Sequence, residues 1–101
     1  MARSQLERGL AIVELLFGHV LDGMKNSEIC SRLRMDAISA CRTLEALERA
    51  KWVRQTDRGG WVLTEKPVAL MKVFQVYQQE YHERMTSYAA RTDAQAKQMI
   101  R

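Results

Sequence analysis

Two cysteines, one proline, five glycines and no uninterrupted apolar run of membrane-spanning length set the first limits on this 101-residue chain. Cys30 and Cys41 are too few for a secreted disulfide framework and lack the paired spacing that zinc requires, so both are expected to be reduced and partly buried. The most apolar stretch, Gly9 to Leu21, is broken by Glu14 and is too short to cross a bilayer, and no small-residue cleavage site follows it. A cytoplasmic protein with no membrane partner is expected. His19 and His82 have no carboxylate or cysteine at ligand spacing, and no serine, cysteine or lysine has an evident base beside it. The pattern therefore predicts no metal site, no cofactor and no catalytic constellation, which argues against an enzyme.

What is present is a well-ordered globular composition: 47% apolar and 28% charged residues, enough apolar surface to offset the entropy of ordering one small domain. The net charge is +4, and most of the surplus falls between Lys25 and Lys66, which holds nine basic and six acidic residues. That bias points toward an acidic partner, weakly when taken alone.

Ser4 and Glu7 have the spacing of a capping box, which predicts a helix over about Gln5 to Leu21 with Leu6, Leu10, Val13, Phe17 and Val20 along its apolar face. Asp22-Gly23 reads as a turn, and Asn26 or Ser27 as the cap of a short second helix carrying Ile29, Cys30 and Leu33 inward and ending near Arg34. Asp36 is a good cap for a third helix with Ala40, Leu44 and Leu47 on its buried stripe. Its other side, Ala37, Ile38, Ser39, Cys41, Arg42 and Glu45, needs no internal partner. After Lys51 the period becomes alternating: Trp52 to Thr56, the turn Asp57-Arg58-Gly59-Gly60, then Trp61 to Thr64, a β-hairpin whose two tryptophans are expected to pack on the first and third helices. Pro67 opens a long last helix with Leu70, Phe74, Tyr77, Tyr81, Met85 and Tyr88 at nearly heptad spacing, and Thr92 to Arg101 loses that pattern, predicting a frayed or weaker end.

The fold class so read is mainly α with a small β-hairpin (α+β), a winged helix-turn-helix with a long C-terminal helix. Residues 1–66 form the DNA-binding domain and residues 67–101 a dimerisation or partner-docking extension. The order fits a physical task, because the second of two short helices can enter a major groove of double-stranded DNA while the hairpin lies along the adjacent backbone. Arg42 is the first choice for base readout, since a guanidinium can donate two parallel hydrogen bonds to a guanine edge, while Ser39 can serve a base or a phosphate. Arg54 and Arg58 on the wing, with Lys51, Lys25, Arg32 and Arg34 nearby, would meet phosphates and supply affinity more than sequence choice.

A family resemblance runs through the same residues. Leu6 to Ile12 with Glu14-Leu15-Leu16, then Ser27-Glu28-Ile29 and Arg32-Leu33, resemble the N-terminal DNA-binding domain of IclR-type bacterial transcription regulators. Thr43 to Glu48, Trp52-Val53-Arg54 and Gly59 to Leu63 continue the likeness, which spans about Ser4 to Leu70. It implies that Ser27, Arg34, Ala37, Ile38, Ser39, Cys41 and Arg42 lie on the DNA side, the groove-facing positions running from Ala37 to Arg42. The chain departs from that family at Arg34, where a turn glycine is usual, at Asp36, where proline is common, and in having no polar and basic run over Ala37 to Ser39. The family's small-molecule effector domain is not expected here.

The stripe Leu70 to Tyr88 exposes too much apolar area to stand alone, and a homodimer that sets two recognition helices about one helical turn apart is the expected cover. Packing against the first helix is the intramolecular alternative. A second functional reading treats the winged helix as a protein-interaction module that docks a partner through the aromatic C-terminal helix.

Overall fold

The structure is a computed structural model that describes residues 3–100. Four helices and one hairpin follow in the order α1 (Gln5–Phe17), α2 (Asn26–Leu33), α3 (Ala37–Arg49), β1 (Val53–Gln55), β2 (Trp61–Leu63) and α4 (Lys66–Met99). The chain divides into two compact units, Met1–Pro67 and Val68–Arg101. The first has the winged-helix arrangement expected from the sequence, and the second is a single helix.

Local chemistry starts α1 where the capping box predicts. The Glu7 amide donates to Ser4 Oγ at 3.1 Å, and the Ser4 amide donates to the Glu7 carboxylate at 3.0 Å. The helix ends four residues earlier than expected, at Phe17. Gly18 is a poor helix former, and from there the amides of Gly18 and His19 donate to the carbonyls three residues back, at 3.1 and 3.0 Å, tightening the chain into a turn.

The buried face of α1 also differs from the expected one. Ile12 and Leu16 are fully buried with Gly9 beside them, whereas Leu6, Leu10 and Phe17 are 72%, 58% and 44% exposed. Both sets recur at three and four residues, so periodicity alone does not choose between them. Tertiary packing makes the choice: α1 packs on α3 along Gly9, where an added Cβ would sit at ordinary contact distance, 3.7 Å from Thr43 Cγ2 and 3.8 Å from Leu47 Cδ2. Leu6, Leu10 and Val13 instead line an apolar surface groove of about 510 Å³ with Leu47 and Trp52.

Ile12 and Leu16 join Met24, Ile29, Leu44, Val53 and Trp61 in one core. Burying each large aliphatic side chain there contributes about 1.5–3 kcal/mol. Trp61 packs in this core as expected, and Trp52 is half-buried against it. The hairpin register pairs Val53 with Leu63, Arg54 with Val62 and Gln55 with Trp61. The chain before α2 adds a bridge that the sequence pattern did not reveal: Met24 and Trp61 exchange backbone hydrogen bonds of 3.0 and 2.7 Å.

Pro67 lies in the first turn of α4, where its missing N–H has no intrahelical acceptor to satisfy. Beyond Tyr88 the helix continues unbroken to Met99, so the loss of apolar spacing after Thr92 does not end it. Arg101, the end of that stretch, lies outside the described residues. A 34-residue helix forms its backbone bonds internally, so its continuation does not require an apolar stripe.

Candidate nucleic-acid interface

The helix pair α2 and α3 is joined by Arg34, Met35 and Asp36. Arg34 sits in the left-handed backbone region with φ 55°, the conformation in which helices usually end on glycine. Asp36 then caps α3, its carboxylate accepting the Ser39 amide at 3.0 Å. That bond, helped by a smaller contribution from the nearby Arg8 guanidinium, holds the Asp36 carboxyl below the usual carboxylate range. At α2 the cap is neither Asn26 nor Ser27. Lys25 is the capping residue, its amide donating to Glu28 at 3.3 Å, while Asn26 accepts from the Cys30 thiol at 3.3 Å.

Ala40, Thr43 and Leu44 face the core, which turns Ala37, Ile38, Arg42 and Glu45 to solvent and leaves Ser39 and Cys41 half-buried. Ile38 is a large apolar side chain 66% exposed on this surface. Glu45 takes a hydrogen bond from the Cys41 thiol at 3.5 Å and not from Arg42. Among the described residues the one ion pair is Arg84 with Glu80, on α4, so the Arg42 guanidinium is not neutralised by a neighbour. The Glu45 hydrogen bond and charge push the Cys41 thiol up, favouring the protonated and unreactive form.

Ser27 is exposed in the first turn of α2, and Arg34 is exposed at the other end of that helix. Arg54 is exposed in the middle of β1, and Arg58 is exposed in the hairpin loop. That loop is closed by Thr56, whose amide donates to the Gly60 carbonyl at 2.7 Å and whose hydroxyl accepts the Gly60 amide at 3.0 Å, with Gly59 at φ 82°. Arg58 shares its cleft with Lys25 and with three carboxylates, Asp22, Glu28 and Asp57, so the wing tip is not a region of net positive charge.

A more concentrated positive group lies at the N-terminal end of α3. Arg3, Arg8, Arg34, Asp36 and Ser39 line a notch of about 310 Å³, with Leu33 and Met35 as its apolar part. Sequence reasoning missed Arg3 and Arg8. Arg8 falls inside the first helix, far in sequence from the turn at Arg34 to Asp36 that it approaches, and only tertiary packing brings the two together. Lys66 was missed as well. Its ammonium donates to the Ala50 carbonyl at 2.9 Å and lies 5.6 Å from the centre of the Trp52 ring, tying the end of the hairpin to the end of α3.

Leu70, Phe74, Tyr77, Tyr81, Met85 and Tyr88 recur along α4 and are all exposed, Tyr77 and Tyr81 by 67% and 66%. Among the described residues there is no group of three His, Cys, Asp or Glu side chains placed to hold a metal ion, and no helix is long and apolar enough to cross a membrane.

No protein-family model matches the chain, and no curated protein matches it. Among solved structures, the chain is similar to a mutant of S. aureus MepR bound to an oligodeoxyribonucleotide, with 19% sequence identity over 92% of this chain and 75% of that one, at a TM-score of 0.52. At that identity the likeness is one of fold, here a winged helix with a long C-terminal helix.

Proposed function

We propose that this chain is a transcription regulator that binds double-stranded DNA sequence-specifically, with α3 in the major groove, the β1–β2 hairpin on the backbone and no enzymatic step. The observation that carries the reading is the outer face of α3, where Arg42 is exposed and unpaired among the described residues, beside Ala37, Ile38 and the half-buried Ser39. A guanidinium so placed has its donors free for a base edge. The fold shared with a DNA-bound MepR structure and the net charge of +4 support the same partner. The resemblance of about Ser4 to Leu70 to IclR-type DNA-binding domains points to the same partner.

Homodimerisation through the Leu70 to Tyr88 face of α4 completes the reading, because two copies would present two recognition helices to a palindromic site.

Fluorescence anisotropy of labelled duplex DNA at low and moderate salt tests this. Wild type should bind with a strong salt dependence, and Arg54→Ala with Arg58→Ala should weaken binding to all sequences alike. Arg42→Ala should cost about 1–3 kcal/mol on a selected site and relax the preference at one base pair. Folded protein that binds no duplex at low salt would refute the DNA reading and leave the protein-docking role of the α4 aromatic face as the alternative.

A further inference from the structure

We propose that Arg3 and Arg8, together with Arg34, form a phosphate-gripping notch that holds the DNA backbone beside α3, a contact supplied by neither the wing nor the groove-facing side of that helix. The inference rests on the DNA-binding reading and adds to it two residues from outside the helix-turn-helix.

Three arginines from three separate segments line it: the residues ahead of α1, the first half of α1, and the turn between α2 and α3. The two arginines that make recorded bonds spend them on backbone carbonyls. Arg3 donates to the Leu33 carbonyl at 2.9 Å, and Arg8 donates to the Arg3 carbonyl at 2.5 Å. Neither bond cancels a charge. Among the described residues none of the three has a carboxylate within ion-pair distance. Asp36 is the single acid lining the notch; it keeps its charge and feels that of Arg8, so three arginines against one carboxylate leave the lining net positive. Glu7, outside the lining, lies close enough to Arg3 to feel its charge without pairing with it.

Each guanidinium has five N–H donors, so a group of three that uses two of them on carbonyls keeps most of its capacity for an anion. Arg8 Nε is a buried donor with no acceptor among the described residues, so this side chain is held in place without its full complement of partners. An oxygen-rich anion that accepts in pairs matches this donor array, and a phosphodiester is the anion that a duplex brings beside a helix lying in its groove. The notch volume of about 310 Å³ leaves room for one such group.

The experiment compares wild type, Arg3→Ala, Arg8→Ala and the wing double change Arg54→Ala with Arg58→Ala, by anisotropy on a random-sequence duplex across a salt series, with circular dichroism melts to establish folding. Loss of one phosphate contact should lower the slope of log affinity against log salt by about 1 and weaken binding to every duplex alike. Arg3 lies outside α1 and outside the capping box, so Arg3→Ala decides the matter even if Arg8→Ala unfolds. A folded Arg3→Ala protein with wild-type affinity and slope, alongside a weakened wing variant, would overturn the notch and leave the DNA reading standing. A wild type that binds no duplex would overturn both.

Discussion

Asp36 stabilises the start of α3 through its negative charge as well as its geometry. The Ser39 amide and, less strongly, the Arg8 guanidinium favour the ionised carboxylate in the folded chain, so its pKa is depressed on folding. A depressed carboxylate contributes stability that is complete above its unfolded value of about 3.9 and is lost as the pH falls through the lower folded value. Asn caps a helix about as well as Asp but does not titrate. Asp36→Asn should therefore leave the melting temperature nearly unchanged near neutral pH and flatten its fall on acidification, as measured by thermal denaturation over a pH series. The role of Asp36 was legible in the sequence because the cap and the amide it satisfies lie three residues apart. Arg34 was legible only as a departure from the expected glycine; its φ of 55° shows that the backbone takes up the glycine conformation anyway. A non-glycine residue there costs about 1–2 kcal/mol.

Among the elements, the segment between α1 and α2 carries the least expected constraint. Gly23 has φ 70°, and a Cβ on it would fall 2.5 Å from the Trp61 carbonyl oxygen and 2.5 Å from Val62 Cγ1. The adjacent Met24 exchanges both of its backbone hydrogen bonds with Trp61, so the hairpin is anchored to the chain entering α2. Gly23→Ala combines a disfavoured backbone angle with a clash against main chain, and should destabilise by about 1–3 kcal/mol. Urea unfolding should show a lower midpoint with an unchanged slope. Asp22-Gly23 was readable as turn chemistry, but its pairing with Trp61 spans nearly forty residues and has no local signature. The same distinction explains α1: its start follows from Ser4 and Glu7, whereas its buried face follows from its packing on α3.

For the whole molecule, the balance lies between a unit with a core and a helix without one. Met1–Pro67 buries Ile12, Leu16, Ile29 and Leu44 completely, while Val68–Arg101 is one helix whose apolar and aromatic side chains have no second element of that unit to pack on. If a second copy covers that stripe, placing a charge in its middle should separate the copies without affecting the first unit's core. Tyr81→Glu should move the sedimentation mass from dimer to monomer while circular dichroism keeps the helical signal. An unchanged dimer mass would show that this face is not the interface, and a monomeric wild type would remove the dimer.

The sequence by itself determined the order of elements, the capping of α1 and α3, the glycine-tipped hairpin and the exposure of Ala37, Ile38 and Arg42 on the outer face of α3. Each of these depends on residues within one helical turn or one hairpin, where spacing and side-chain chemistry act directly. The tertiary structure decided which of two equally periodic faces of α1 is buried, joined Met24 to Trp61, and gathered Arg3, Arg8 and Arg34 beside Asp36. Those outcomes depend on distances between segments far apart in the chain, which are set by the close approach of packed helices and leave no periodic trace in the residues that meet.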